Sequence, residues 1–197
     1  MLRMGGNGMK WKHVARRGTS LLLVVMLLIS ALPCDVLALE PTAELTWTVE
    51  GDCLTVSGEI PDFATFNDPD IPWLDVRGGI TRLVIEDGVT QIGDYAFHYM
   101  PRLTEVSLPD SLKRIGVQSL SAAESLQTLE LPASVEQIDE GAFQSNHPNM
   151  TLTVYNSACQ FGYHPFGFRW DNDLQAEVLE EGPVLRGYRG STAAAYA

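Results

Sequence analysis

Between Ile80 and Phe143 the chain repeats nearly the same pattern three times, at a spacing of 23 residues. Ile80, Leu103 and Leu126 fall in one column, Leu83, Val106 and Leu129 in the next, then Ile85, Leu108 and Leu131. Val89, Leu112 and Val135 make a fourth column, Ile92, Ile115 and Ile138 a fifth, and Phe97, Leu120 and Phe143 a sixth. All eighteen positions are apolar in a chain that is 45% apolar overall. Chance would give that about once in a million trials. A unit this short cannot enclose its own apolar side chains. Its columns leave water only if successive units stack and merge them into continuous rows. That requirement leaves little choice of architecture.

Each unit opens with Leu-x-x-Leu-x-Leu, whose alternation suits a short strand. A turn follows: Glu86, Asp87 and Gly88 in the first unit, Pro109, Asp110 and Ser111 in the second, Pro132, Ala133 and Ser134 in the third. Proline just past a strand removes a ladder donor and ends it. Next comes Val-x-x-Ile with Gly93 or Gly116, then Asp-Tyr-Ala-Phe or Glu-Gly-Ala-Phe, which predicts one helical or 3₁₀ turn. The expected fold is an α/β or mainly β solenoid of 23-residue rungs, with parallel strands about 4.8 Å apart. A fourth, incomplete rung is expected at Leu152 and Val154, after which the pattern breaks.

The flanks divide into a leader and two caps. Lys10, Lys12, Arg16 and Arg17 precede an apolar run at 21–29, followed by Pro33 and the small-residue pattern Val36, Leu37, Ala38. This reads as a secretory signal peptide over 1–38, cleaved after Ala38, and it is the chain's one expected membrane encounter. Without it 8 basic residues face 24 acidic ones, a net charge of −16. Such a charge excludes nucleic acid as a partner. Alternation at 45–49 and 53–57 around Glu50, Gly51 and Asp52 predicts a β-hairpin. The proline-rich segment after it still carries Phe63, Phe66, Ile71 and Trp73, so 39–79 is expected to cap the stack. The repeats then occupy 80–160. Residues 161–197, crowded with Phe161, Tyr163, Phe166, Phe168 and Trp170, form a C-terminal cap or partial terminal repeat. Cys53 and Cys159 lie at opposite ends of the repeats, too far apart for a disulfide if the rungs stack in order.

Chemistry is scarce. His147, Cys159 and His164 lack the paired short spacing of a zinc site, and no nucleophile elbow or phosphate loop occurs in the mature chain. The acidic runs 67–70 and 171–173 lack the spacing of a calcium loop. No catalytic residue, metal or other cofactor is expected, and the chain reads as a non-enzyme.

The unit as a whole, with VTQIGDYAF in one rung and VEQIDEGAF in another, resembles the BspA-like (Treponema-type) leucine-rich repeats of secreted and surface proteins. LTWTVEGDCLTVSG before the repeats and GYRGSTAAAYA at the close are similar to that family's flanking units. The resemblance implies a right-handed solenoid with a parallel sheet on its concave side, and a role in adhesion or protein binding at the bacterial surface. Rung two departs from the pattern at 117–120, where Val, Gln, Ser and Leu replace the acidic-x-Ala-Phe of its neighbours, and is expected to pack less well. The polar positions of the strands would form the partner-binding strip: Thr81, Arg82 and Val84, then Thr104, Glu105 and Ser107, then Gln127, Thr128 and Glu130. The strip has no aromatic anchor, and the exposed-aromatic alternative lies at His98, Tyr99 and Met100 or at 161–170. The partner would be a protein or a surface glycan. The alternative is a spacer module of a larger surface protein with no ligand of its own.

Overall fold

The computed structural model describes residues 43–166, 168–171, 176–179, 184–187 and 191–193. The leader at 1–38 and most of the closing unit lie outside the described residues. Thirteen strands run in chain order among them, and the elements are short. A hairpin comes first, β1 (Thr46–Glu50) antiparallel to β2 (Cys53–Ser57). From β2 onward the rungs add strands in parallel: β3 (Arg82–Ile85) pairs with β2, and β5 (Glu105–Ser107) with β3. After rung two the ladder is interrupted and resumes with β7 (Thr128–Leu131) and β9 (Thr151–Val154).

The second half of each rung holds a second parallel sheet that strand propensity did not announce. Its strands have two residues each: β4 (Gln91–Ile92), β6 (Arg114–Ile115), β8 (Gln137–Ile138) and β10 (Gln160–Phe161). They pair without a break, in the register Gln91, Arg114, Gln137, Gln160. The fifth apolar column is thus the inward row of this short sheet, and Ile92, Ile115 and Ile138 are fully enclosed.

The expected helical or 3₁₀ turn is a run of overlapping turns with 3₁₀-type bonds. Ala96 N–H donates to Gly93 C=O and His98 N–H to Tyr95 C=O, three residues back in each case. Residues at two repeated positions adopt left-handed backbone: Tyr95 (φ 59°), Gln118 (47°), Gly141 (62°) and His164 (45°), then Tyr99 (62°), Ala122 (56°) and Ser145 (56°). Each run is 23 residues apart. A left-handed residue interrupts a helix and turns its N–H out of the local bonding pattern. Here those N–H groups point along the stack: Tyr95 donates to Val117 C=O at 2.9 Å, Gln118 to Glu140 C=O at 3.0 Å and Gly141 to His164 C=O at 3.0 Å. Neighbouring rungs are therefore joined throughout by the short sheet and by this ladder of turns, and by the long sheet except between rungs two and three.

The core is the set of merged columns. Leu83, Leu103, Leu112, Leu120, Leu126, Leu131 and Phe97 are all fully buried. Trp73 extends the aromatic column into the N-terminal cap, stacking on Phe97 with ring centroids 5.0 Å apart and meeting Trp47 and Phe63 edge-on. Its indole N–H donates to Ala96 C=O at 2.6 Å, so the buried polar atom is satisfied. Gly93 permits this closure, since a Cβ there would lie 1.9 Å from Pro61 O.

Repetition also runs further than the sequence pattern suggests. Phe161 pairs beside Ile138, and Phe166 stacks on Phe143 at 6.3 Å, each 23 residues on. Rung four is therefore complete. Its first and fourth columns are filled one residue late, by Met150 and Cys159, both fully buried. The chain next forms an antiparallel hairpin, β11 (Phe168–Asp171) with β12 (Ala176–Leu179), and then returns as β13 (Val184–Arg186), parallel to β9. Thr192 secures the closing unit through its backbone N–H to Ser157 C=O at 3.2 Å and its hydroxyl to Cys159 C=O.

Rung two shows its weakness at the strand. Val106 and Leu108 are only partly buried, whereas Leu83, Ile85, Leu129 and Leu131 are buried. Leu120 fills its column completely despite replacing a phenylalanine. Among the described residues no helix is long and apolar enough to cross a membrane.

Candidate partner-binding face

Strand alternation decides which strip residues point outward. Arg82 and Val84, Glu105 and Ser107, and Thr128 and Glu130 share the outer face, while Leu83 and Leu129 point inward. Register aligns them in two rows. One runs Cys53, Arg82, Glu105 and, beyond the break, Thr128, Thr151, Val184. The other runs Thr55, Val84, Ser107, then Glu130, Thr153, Arg186. Thr81, Thr104 and Gln127 precede the strands and stand off these rows. The hydroxyl of Thr81 donates to Asp52 Oδ2 at 2.7 Å and that of Thr104 to Thr81 C=O at 3.1 Å, while Gln127 C=O accepts from Thr151 N–H at 2.8 Å. These three tie rung to rung. The Thr81 hydroxyl also holds the Asp52 carboxyl below its ordinary range.

The outer rows carry opposite charges at modest spacing. Arg82 Nε lies 3.6 Å from a Glu105 carboxylate oxygen, both side chains more than half exposed, a pair that adds little stability. The anchor missing from the sequence reading is supplied near the C-terminal end. Tyr155, 42% exposed, donates its hydroxyl to Glu130 Oε2 at 2.9 Å. Beside it lies a shallow depression lined by Thr153, Val154, Tyr155, Arg186 and Gly187. Tyrosine and arginine are the residue types that dominate binding hot spots. Tyr155 was legible as the residue 23 after Pro132, but Arg186 required knowing that β13 joins the sheet.

Groups with catalytic or ligating potential are otherwise engaged. Cys53 and Cys159 are free thiols, and burial pushes the Cys159 thiol up to about 11, so it stays protonated. His147 Nδ1 accepts from Asn149 N–H at 3.1 Å, and His164 lies against Tyr163 in the left-handed column. Among the described residues no three His, Cys, Asp or Glu side chains gather as a metal site. Asp68 accepts the N–H groups of Ala64 and Asp70, which makes 67–70 a capped turn. Met100 is fully buried and His98 half-buried, so of the residues at 98–100 it is Tyr99 that is exposed.

Sequence reasoning missed the most heavily bonded charge. Arg114, in the outward row of the short sheet, donates Nε to Asp139 at 2.7 Å, Nη1 to Asp62 at 3.0 Å and Nη2 to Asp94 at 2.7 Å. Burial works against its charge, but the Asp62 and Asp139 carboxylates outweigh it and raise its pKa. Partial burial pushes Asp62 upward, and the Asp94 N–H and the Arg114 guanidinium together bring it below the usual carboxylate range. One guanidinium thus joins the cap, rung one and rung three.

Comparison with known proteins agrees with this geometry. Residues 77–168 match the family model described as BspA type leucine rich repeat region, in 6 copies. No curated protein matches the chain. A solved leucine-rich repeat protein of Eubacterium ventriosum ATCC 27560 superposes with a TM-score of 0.51 at 16% identity, covering 76% of this chain and 43% of that one. One from Bacteroides ovatus ATCC 8483 gives 0.38 at 20%, over 63% and 40%, and the Treponema pallidum protein TpLRR gives 0.30 at 14%, over 74% and 83%. This chain spans less than half the length of the Eubacterium protein. Continuous columns, stacked parallel strands and the matched profile lead to one conclusion: residues 77–168 are a leucine-rich repeat region of the BspA type.

Proposed function

We propose that the chain is an exported, non-enzymatic interaction module whose outer strand face holds a partner protein, with the contact centred on Tyr155 and Arg186. The observation that carries this reading is the depression between those two side chains, at the end of two aligned rows of outward-facing residues. The family is one of interaction modules, and the leader supports export to the cell surface. The formal charge of −12 disfavours nucleic acid and anionic membrane as ligands. The test is binding of the full chain to a panel of bacterial surface and host matrix proteins by biolayer interferometry. Tyr155→Ala and Arg186→Ala are expected to weaken the interaction by more than about tenfold each. Unchanged affinity in both variants, or no saturable binding across the panel, overturns the assignment. A spacer role within a longer surface protein is the second reading, favoured by the 43% of the Eubacterium chain that this one spans.

A further inference from the structure

On the turn side of the N-terminal end, away from the strand face, three exposed apolar side chains surround one cation. Phe66 is 45% exposed, Val76 41% and Tyr99 51%, half of the six large apolar residues exposed among the described ones. Arg77 sits among them. Its Nη1 donates to Phe66 C=O at 2.5 Å, its Nη2 to Asn67 Oδ1 at 2.9 Å, and its guanidinium carbon lies 5.7 Å from the centre of the Tyr99 ring. The Phe66 ring packs on the His98 imidazole at 5.0 Å.

Two features separate this cluster from incidental surface. First, Arg77 has no carboxylate partner among the described residues, in a chain with 25 acidic residues. Its guanidinium is fixed by neutral acceptors, partly desolvated and uncompensated, so an incoming anion meets an oriented donor with little ordering cost. Second, several of the polar groups nearby are already engaged. Asn67 Oδ1 is taken by Arg77, both Asp68 oxygens by backbone N–H groups, and His98 Nδ1 by the Ser121 hydroxyl. A sugar needs several free donors and acceptors for its hydroxyls. A carboxylate beside an apolar side chain needs only the guanidinium and the rings. Exposed aromatic and apolar side chains beside a fixed arginine are a protein-binding composition.

We infer that Arg77, Phe66, Val76 and Tyr99 form a second docking site, for a protein segment that presents an acidic side chain next to an apolar one. The site is independent of the strand face and stands or falls separately. The test uses a phage-displayed random dodecapeptide library panned on the full-length chain. Panning is repeated on Arg77→Gln and on Tyr99→Asn, the latter because asparagine tolerates the left-handed backbone there. Enriched peptides should carry Asp or Glu adjacent to Leu, Ile, Phe or Tyr. Synthetic versions should lose more than about tenfold in affinity against either variant and on Asp→Asn or Glu→Gln exchange in the peptide. Tyr155→Ala should leave them unaffected. Absence of enrichment, acid-free consensus sequences, or binding that survives both variants overturns the proposal. So does retention of an acidic oligosaccharide on a glycan array in an Arg77-dependent manner, since that assigns the site to sugars.

Discussion

Ser119 is fully buried, and its hydroxyl finds no partner among the described residues. The residues 23 positions either side are Ala96 and Ala142, both buried. The column thus wants a methyl group, and rung two supplies a hydroxyl stripped of water. Ser119→Ala should therefore stabilise the protein by about 1–2 kcal/mol, the desolvation cost of an unmade hydrogen bond. Thermal melts of the two proteins check it, and an unchanged or lower melting temperature would mean that the hydroxyl is bonded after all. This weakness was visible in the sequence as a broken motif over 117–120, which closes on Leu120. That residue packs fully, because a leucine still fills a column whose neighbours are rings. What matters is the smaller neighbour, which no hydrophobic pattern weighs.

At the scale of elements, the two sheets differ in continuity. The short sheet β4–β6–β8–β10 is unbroken, while the long one is interrupted between β5 and β7. Local opening should begin at that gap. In native-state hydrogen exchange, the β7 amides that face β5 are expected to exchange well ahead of the β9 amides that face β7. Equal protection on both would show the ladder closed in solution. The long strands were legible because Leu-x-x-Leu-x-Leu alternates over enough residues to declare itself. The short strands were not: two residues have no periodicity, and Gln91, Arg114, Gln137 and Gln160 read as turn residues until the stack aligns them. The turn ladder was hidden for a related reason. Tyr95, Gln118 and Ala122 occupy left-handed backbone that residue type alone does not forecast. The strip was half legible: alternation gave Arg82, Val84 and Glu130, but Tyr155 and Arg186 depend on long-range register.

For the whole molecule, Arg114 couples the cap to the repeats, and its carboxylates make that coupling depend on pH. Asp62 has its folded pKa below its ordinary value, so its contribution is present above about pH 4 and lost as pH falls through the folded value. Arg114→Gln gives rung two the residue found at the same position in the other rungs, so packing is preserved while the charge is removed. At pH 7 this should cost about 1–3 kcal/mol, because three carboxylates lose their charged donor. At pH 3 the wild type and the variant should melt closer together. A gap that persists unchanged at pH 3 would show that shape, and not charge, is what Arg114 supplies.

The hairpin between Phe166 and Val184 has a wider consequence. A strict period would bring the next strand near residue 175, yet β13 arrives later and still aligns Leu185 with Leu152. Contour length at that corner is uncoupled from strand register. The stack can therefore be varied in two separable ways: by exchanging side chains along its rows, and by inserting whole loops at a corner that tolerates them.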